Sequence, residues 1–559
     1  GDEAIHAEQA DRGSDTLLLK NTSQPRLGFR VNKIYIDSYY MDPQTKKYPE
    51  ANRELMKQFN EGMLVFNYIG HNDPEVGFTG EGLFSRYEME HLTNTRLPLF
   101  ITITCDYCQF DAEDVSAGEN VFLNPSAGAI ALITTTRVVY TDGNDKINQR
   151  LMKRLLERDS NGSPLRIGDV LKLAKRDFNT EIDKNKLNYV LIGDPALKLA
   201  YPEHSIQVTR INGNSGEKNI EMIPGKNYTV EGEIRSHQNE LLSDFNGYIY
   251  YNLYDKEKQF TTLAHQDKKT WTYTHRPDLL TTGKGTIQNG IFRITVALPI
   301  DNSHSGKSGL LNLYAYDESG REANGYTDKL IVSTAVEPIT EDIQGPDIEF
   351  AGINDDSFTE GILVNNPATF VCKFSDPSGI WNGNSLGKQM TLSLDGACIE
   401  ENVARYYKPI AESEIPEGEF IYPLPRLSNG LHTLTFKVFD TLGNSSEVTI
   451  AFEVKENSET YTISLEEEPA TERATISCQD QNGNDVTESK HTRISVTNTL
   501  GEEIWSYETT ENNPFPLTWN LQDNNGKRVS AGQYYCKGYF ETSAGTIVTP
   551  AKKIVVITQ

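Results

Sequence analysis

The chain has 559 residues, 37% of them hydrophobic, and a formal net charge of −26 at neutral pH. This length predicts about three to five domains. The strong negative charge disfavours nucleic-acid binding, because phosphate groups would be repelled. No run approaches the roughly 18 apolar residues of a membrane-spanning helix. The first residues lack the basic start and apolar core of a signal peptide, so we expect a processed or cut piece of a longer protein.

Residues 1–203 alternate segments with helical and strand character, which predicts an α/β layered domain. The strands are expected to be parallel and covered on both faces, since they are continuous apolar runs separated by helix-like segments. The predicted helices cover residues 49–59, 114–122, 147–158 and 167–178, and the predicted strands cover residues 63–68, 98–104, 128–133 and 189–192.

A histidine and a cysteine follow two neighbouring predicted strands. His71 comes after the run at 63–68, and Cys105 comes after the run at 98–104. Reactive groups in parallel sheets collect at the carboxyl ends of strands, and an imidazole beside a thiol can perform nucleophilic acyl transfer. The alternative is structural, because a lone cysteine after an apolar strand is more often a small buried hydrophobe.

Cys105 and Cys108 form a C-x-x-C pair, which is also found in redox and zinc sites. Without a second such pair this is a weak signal, and neither a metal nor a cofactor is expected. Arg137 could bind a carboxylate or an anionic glycan, or form a structural salt bridge. The remaining cysteines could pair within later domains, as Cys372 with Cys398 and Cys478 with Cys536.

After Pro202 the pattern changes to short alternating strands separated by Asn, Gly and Asp turns, which predicts β-sandwiches. Residues 245–253 and 310–316 are examples in which tyrosine alternates with other residues, and packing inside a sandwich is predicted to account for most of the 27 tyrosines. The predicted domains are 1–203, 204–340 (Ig-like), 341–456 (Ig-like) and 457–559.

Several motifs of the first domain resemble those of gingipain-type (C25-like) cysteine peptidases. They are Asn67-Tyr-Ile-Gly-His71, Cys105 with Phe110 five residues later, Gly128-Ala-Ile-Ala, Thr136-Arg137 and Ile192-Gly-Asp-Pro-Ala196. The resemblance covers about residues 1–200. It implies a caspase-like, gingipain-like α/β catalytic domain whose N-terminal part is missing, followed by three all-β sandwich domains.

The resemblance also implies roles for individual residues. Cys105 would be the nucleophile and His71 its partner, with the backbone N–H groups of Cys105 and Asn72 in the oxyanion hole. The family usually has glycine where Asn72 stands. The acid that orients the histidine would precede residue 1, in an upstream fragment of the same protein, and Glu3 or Asp2 would line the substrate pocket. Cys108 would have no catalytic role.

The domain order and the terminal W-x-L-x-D-x-x-G…G-x-Y pattern, which begins at Trp519, look like one branch of the family, the PorU-type sortases of the bacterial type IX secretion system. This branch implies a transpeptidase on the extracellular face of the outer membrane. It would cut the C-terminal signal domain from cargo proteins and join the cargo to anionic lipopolysaccharide. The terminal module, residues 457–559, would dock on an outer-membrane β-barrel partner (PorV-like).

Two other functions remain open at this stage. One is a hydrolytic gingipain-like endopeptidase, since hydrolysis and transpeptidation share the first half-reaction. The other is a non-enzymatic β-sandwich surface scaffold that carries a decayed peptidase domain, which the Asn72 departure and the missing upstream acid would suit.

Overall fold

The protein is described from a computed structural model. The residues that the structure describes are 3–20, 22, 26–72, 77–78, 83–177, 184–265, 268–300, 306–334, 342–354, 363–364, 366–383, 387–400, 402–410, 415–454, 461–466, 469–480, 483–486, 489–499, 501–511, 514–542 and 545–557.

The chain forms two compact units. Among the described residues, no helix is long and apolar enough to cross a membrane. The predicted domain boundaries at 340/341 and 456/457 lie outside the described residues. The first unit comprises Gly1–Met222, Tyr228–Val296 and Ser303–Thr334, and the second comprises Ile223–Asn227, Ala297–Asn302 and Ala335–Gln559.

The first part of unit 1 contains all seven described α-helices and six strands. A short 3₁₀ helix spans Ile36–Ser38. The helices are α1 (Ala4–Leu17), α2 (Pro49–Glu61), α3 (Arg86–Glu90), α4 (Ala117–Phe122), α5 (Thr141–Leu155), α6 (Ile167–Arg176) and α7 (Lys184–Asn188). The strands are β1 (Val65–Ile69), β2 (Gly77–Phe78), β3 (Phe84–Ser85), β4 (Leu99–Ile103), β5 (Ala131–Thr135) and β6 (Tyr189–Ile192).

The central sheet has the order β1-β4-β5-β6. Strands β1, β4 and β5 are parallel, as predicted, whereas β6 pairs antiparallel with β5. The prediction of an all-parallel sheet was therefore wrong for β6, since an apolar run does not specify the direction of its strand. Helices α1, α5 and α6 contribute to the core on one face of the sheet, and α2, α3 and α4 contribute to the core on the other. The sheet is thus the middle layer of three.

Helix α5 begins six residues before the predicted start at residue 147. The segment Thr141–Lys146 is polar, yet Gly143 and Asn144 are buried in the helix. Asn144 accepts hydrogen bonds from the Tyr189 hydroxyl (2.8 Å) and from Asn185 Nδ2 (3.0 Å). The first turns of this helix are therefore held by hydrogen bonds rather than by an apolar stripe.

Helix α1 was not predicted. Its buried residues are small or polar, and they include His6, Gln9 and Asp11, whereas Ile5 is 40% exposed. The apolar periodicity that signals an amphipathic helix is therefore missing. Ala10 and Leu17 pack against the core of the central sheet.

The rest of unit 1 is built from strands. The largest sheet has the order β10-β15-β14-β11-β17-β18-β7-β8, and β10 also pairs with β7, so the sheet returns on itself. The strands are β7 (His204–Ile211), β8 (Asn214–Ser215), β9 (Ile220–Met222), β10 (Asn227–Arg235), β11 (Gly247–Tyr254), β12 (Lys258–Thr261), β13 (Thr272–His275), β14 (Leu279–Gln288), β15 (Ile291–Ala297), β16 (Lys307–Ser308), β17 (Leu310–Asp317), β18 (Glu322–Thr327) and β19 (Leu330–Val332).

Unit 2 contains two further pairs of sheets, each pair around its own core. The first pair joins β20-β22-β26-β25 and β21-β28-β27-β23-β24. The second joins β29-β30-β33 and β32-β31-β34-β35, with β36 paired to β34. A 3₁₀ helix spans Ala404–Tyr406. The strands are β20 (Asp347–Ile353), β21 (Leu363–Val364), β22 (Thr369–Ser375), β23 (Thr391–Leu394), β24 (Ala397–Glu400), β25 (Tyr407–Pro409), β26 (Glu417–Pro423), β27 (Gly430–Phe439), β28 (Ser445–Val454), β29 (Thr462–Leu465), β30 (Ala474–Gln479), β31 (His491–Asn498), β32 (Glu503–Thr509), β33 (Leu517–Trp519), β34 (Gly532–Thr542), β35 (Gly545–Val548) and β36 (Lys552–Val556).

A buried carboxylate anchors helix α1 within unit 1. The Asp11 side chain accepts hydrogen bonds from Lys33 Nζ (2.5 Å), the Tyr35 hydroxyl (3.2 Å) and Trp271 Nε1 (3.3 Å). The side chains of Lys33 and Asp11 are only 5% and 11% exposed. Removing one partner of such a pair leaves the other charge buried and unpaired. This destabilises the fold more than the loss of an exposed ion pair does.

We expect Asp11→Ala to lower the free energy of unfolding by about 3 kcal/mol, because Lys33 would be left buried without its carboxylate. Urea unfolding followed by circular dichroism measures this value. Glu8→Ala on the same helix is the matched control, since its ion pair with Arg12 is partly exposed and its loss should cost less than about 0.5 kcal/mol. Equal effects of the two substitutions would contradict the anchoring role.

Candidate active site

The pairing of β1 with β4 places the predicted nucleophile and its partner side by side. The two strands are parallel, and Ile69 lies opposite Ile103 in the register. The backbone N–H of Gly70 donates to the Ile103 carbonyl at 3.4 Å, which continues the pairing beyond the strands. His71 and Cys105 each lie two residues past the Ile69–Ile103 pair, on chains that in a sheet run about 4.8 Å apart.

Both side chains lie on the same face of the sheet. Ile69 and Ile103 belong to the core that α1 and α5 cover, and Tyr68 belongs to the opposite core. Since successive residues of a strand point to opposite faces, positions 71 and 105 return to the face of Ile69. Two contacts agree with this geometry: Cys105 packs against that core, and the His71 ring lies 5.0 Å from the ring of His6 on α1.

Backbone and side-chain bonds hold the two strand ends together. Asn72 Nδ2 donates to the Cys105 carbonyl at 3.1 Å, and the Tyr68 hydroxyl donates to the His71 carbonyl at 2.8 Å. The Cys105 thiol donates to the Val139 carbonyl at 3.4 Å. Asp106 has a φ of +48°, which is unusual for a residue other than glycine. The chain therefore turns sharply after a half-buried thiol.

Helix α1 carries a carboxylate and a second imidazole to the same place. Glu3 Oε1 lies 3.8 Å from His71 Nε2, and the two side chains are 42% and 58% exposed. The His6 and His71 rings meet edge to face, with 80° between their planes. Sequence reasoning assigned Glu3 to a substrate pocket and missed the contact of His6 with His71, because helix α1 has no apolar stripe that would reveal it.

Cys108 differs from Cys105 in burial and in acidity. It is 1% exposed and packs against Gly118 of helix α4, where an added Cβ would lie 2.6 Å from the Cys108 Cβ. Burial raises the pKa of the Cys108 thiol to about 11. A cysteine held in this way remains a thiol at neutral pH and is a poor nucleophile or metal ligand. All six cysteines of the chain are free.

The other predicted residues have different outcomes. Asp2 lies outside the described residues. Arg137 forms a bidentate pair with Asp111, at 3.1 and 2.6 Å, with both side chains about half exposed. Arg137 was predicted either to bind an anionic ligand or to form a structural salt bridge, and the structure favours the salt bridge. Asn72 was predicted only as a backbone donor. Its side chain also contacts the Cys105 carbonyl.

Two groups of described side chains have the donor types and spacing of a metal site, with one ligand atom per residue and all atoms within 4.8 Å of one another. The first lies at the candidate active site, and the second lies in unit 2, where burial raises the pKa of both Asp376 and Asp440. The groups are Glu3 with His6 and His71, and Asp342 with Asp376 and Asp440.

Residues 3–200 match the sequence profile described as "Peptidase family C25". A search of curated proteins finds no match. Among solved structures, the chain is similar to dimeric latent PorU from Porphyromonas gingivalis, with 24% identity, a TM-score of 0.34, and coverage of 78% of this chain and 41% of that one.

Two further structures show the range of the similarities. The complex of the pro- and mature domains of RgpB from Porphyromonas gingivalis has 16% identity, a TM-score of 0.26, and coverage of 52% of this chain and 58% of that one. The N-terminal Ig1-2 module of the Drosophila receptor protein tyrosine phosphatase DLAR has 11% identity, a TM-score of 0.22, and coverage of 38% and 98%. The chain spans less than two thirds of the length of the PorU and RgpB structures.

We expect iodoacetamide at pH 7.5 to alkylate Cys105 in the folded protein at least about 100-fold faster than Cys108. Burial of Cys108 raises its pKa to about 11, so only about one thiol in 3,000 would be ionised, and the thiolate is the reactive form. Peptide mapping by mass spectrometry measures both rates, with exposed Cys398 as the reference. Comparable labelling of Cys105 and Cys108 before unfolding would contradict the assignment.

We expect Asn72→Ala to slow acylation of Cys105 by a peptide acyloxymethyl ketone about tenfold. The substitution removes the hydrogen bond to the Cys105 carbonyl but keeps the backbone N–H of residue 72, and one hydrogen bond contributes about 0.5–1.5 kcal/mol. Asn120→Ala on helix α4 is the matched control, because it removes an asparagine side chain elsewhere in the domain. Thermal unfolding checks that both variants fold. An unchanged acylation rate would show that the side chain does not position Cys105.

Proposed function

We propose that residues 3–200, which match the profile of peptidase family C25, are a cysteine peptidase domain, and that the chain is the catalytic and C-terminal part of a cell-surface cysteine transpeptidase. In this proposal the enzyme removes the C-terminal signal domain of secreted cargo and joins the cargo to an amine of anionic lipopolysaccharide. One observation carries the catalytic part: the parallel register of β1 and β4 delivers His71 and Cys105 to the same face, two residues beyond Ile69 and Ile103.

The first half-reaction follows from these two groups. The Cys105 sulfur attacks the scissile carbonyl carbon as a thiolate, and backbone N–H groups of Cys105 and Asn72 hold the negatively charged oxygen. His71 gives a proton to the departing amine as the C–N bond breaks, which leaves a thioester on Cys105. Removing one oxyanion donor of this type typically costs about 100- to 1000-fold in rate.

The second half-reaction decides between transfer and hydrolysis. An acceptor amine attacks the thioester carbon, His71 takes the proton of that amine, and the Cys105 thiolate leaves. If water attacks in place of the amine, the product is a free carboxylate and the enzyme is an endopeptidase. Preference for the amine is supported by the domain order and by the terminal motif at Trp519, which resemble those of the PorU-type sortases.

Glu3 is proposed as the acid that orients His71, in place of a residue in an upstream fragment. The support is its distance of 3.8 Å from His71 Nε2. Because both side chains are largely exposed, the interaction is screened by solvent and its contribution is modest.

The β-rich remainder is proposed to act as the docking arm. We also propose that residues 204–340 and 341–456 are Ig-like domains. Residues 1–203 are proposed to have caspase-like connectivity. Attachment of residues 457–559 to an outer-membrane β-barrel partner at the cell surface is also part of this proposal. Within that last module, Trp519 is 1% exposed and its Nε1 donates to the Gln522 carbonyl at 2.7 Å. The motif tryptophan therefore lies in the core of the module.

The proposal is tested by supplying a cargo protein that ends in a type IX signal domain, together with an amine acceptor such as a glycyl peptide. Because the thioester partitions between amine and water, we expect intact-mass spectrometry to show cleaved cargo joined to the acceptor. Cys105→Ala and His71→Ala should each reduce product at least about 1000-fold. The control is Cys108→Ala, which should keep activity.

The products separate the candidate functions. Cleaved cargo with a free carboxylate and no adduct, at saturating acceptor, would replace the transpeptidase by the endopeptidase. Cleavage that persists in Cys105→Ala would refute the assignment of the nucleophile.

A further inference from the structure

One face of the largest sheet in unit 1 carries an ordered array of tyrosines and asparagines. Over residues 248–253 of β11 and 311–317 of β17 the odd-numbered residues are buried, so the even-numbered residues between them point outward. The outward positions of β11 are Tyr248, Tyr250 and Asn252, and those of β17 are Asn312, Tyr314 and Tyr316. We call the four tyrosines the tyrosine face.

The register of the two strands places tyrosine opposite tyrosine and asparagine opposite asparagine. The strands are antiparallel, and Tyr248 lies opposite Tyr316, Tyr250 opposite Tyr314, and Asn252 opposite Asn312. The neighbouring strands extend this array with polar groups, since Lys284 lies opposite Tyr250 and Asn324 lies opposite Tyr314. No outward position of β11 or β17 between residues 248 and 252 or 312 and 316 is aliphatic.

The rings form a platform with polar rims. Tyr248 and Tyr314 are each 37% exposed. The rings of Tyr250 and Tyr316 lie 6.0 Å apart with 17° between their planes. The Tyr314 hydroxyl donates to Glu322 Oε1 at 2.6 Å, which fixes its ring, and Lys284 Nζ lies 3.9 Å from the Tyr248 ring centre. The aromatic faces are therefore held in place before any ligand arrives.

The platform leads into a cleft of about 380 Å³. This volume falls in the range of about 300–1,000 Å³ that small-ligand sites occupy. Tyr250 and Tyr314 line the cleft, and Tyr201 and Arg30 line it from the first part of the unit. Asn312 also lines it, and its Oδ1 is buried without a hydrogen-bond partner among the described residues. A water or a ligand hydroxyl in the cleft can supply the donor that such an acceptor needs.

We propose that the tyrosine face and its cleft bind pyranose units of a saccharide chain. The apolar C–H face of a pyranose matches a tyrosine ring, and its hydroxyls can both donate to and accept from asparagine amides. A peptide that adds a strand needs an open sheet edge rather than a sheet face. A helix or a lipid surface would need aliphatic side chains that this face lacks, and the net charge of −26 opposes nucleic acid.

This site is separate from the catalytic groups. Leu64, which lines the cleft, precedes β1, whereas His71 follows it. Seven extended residues at about 3.3 Å each separate the two positions by about 23 Å. The saccharide would therefore hold the protein on a glycan rather than enter the reaction, and its binding does not depend on the proposed function.

The test is affinity electrophoresis of the Cys105→Ala protein in native gels that contain β-glucan, mannan or polygalacturonate, followed by a microarray of bacterial glycans. We expect retardation in at least one gel or binding to at least one arrayed glycan. The double variant Tyr250→Ala/Tyr314→Ala should weaken binding at least about tenfold, since it removes both aromatic rings that line the cleft.

Three further variants make the result specific. Tyr250→Phe/Tyr314→Phe keeps the rings and should retain binding within about threefold, which also guards against misfolding of the alanine variant. Asn312→Ala should weaken binding, because it removes the side-chain oxygen that would accept a hydrogen bond from a saccharide hydroxyl. Tyr87→Ala removes a tyrosine that is 67% exposed elsewhere and should change nothing. Absence of binding to every probe, or binding that the double alanine variant leaves unchanged, would overturn the proposal.

Discussion

The parallel pairing of β1 with β4 is the constraint on which the candidate active site depends. The residue pair Ile69–Ile103 sets the register, and each strand then runs two residues further to a reactive side chain. A shift of one residue in this register would send one of the two side chains to the opposite face of the sheet. Because cores cover both faces, the register is strongly specified, and the placement of Cys105 and His71 on one face follows from packing along the two strands.

Helix α1 links this sheet to the β-rich part of unit 1. It packs on the core beside β1, its Asp11 receives donors from Lys33 and Trp271, and its first turn places His6 against His71. The helix buries polar side chains and exposes Ile5, so hydrogen bonds do more than apolar burial to determine its position. The surroundings of His71 and the contact with the β-rich region thus depend on the same helix.

The four strands of the central sheet could be predicted to within three residues, because each is a continuous run of apolar residues. The direction of β6 could not, since Tyr189–Ile192 reads the same in either direction. The contact of Glu3 with His71 was missed because α1 lacks an apolar stripe. The side-chain bond from Asn72 to the Cys105 carbonyl depends on a turn geometry that residue types alone do not specify.

The tyrosines of β11 and β17 show how alternation separates two roles within one strand. Core packing was expected to account for most of the tyrosines. Tyr251 is buried as expected, whereas Tyr248 and Tyr314 face outward. Since the inward residues form the core beneath this sheet, the outward ones can change at a smaller cost to folding. Such a surface can drift toward new ligands over evolutionary time while its scaffold stays constant, much as the loops of other β-proteins do.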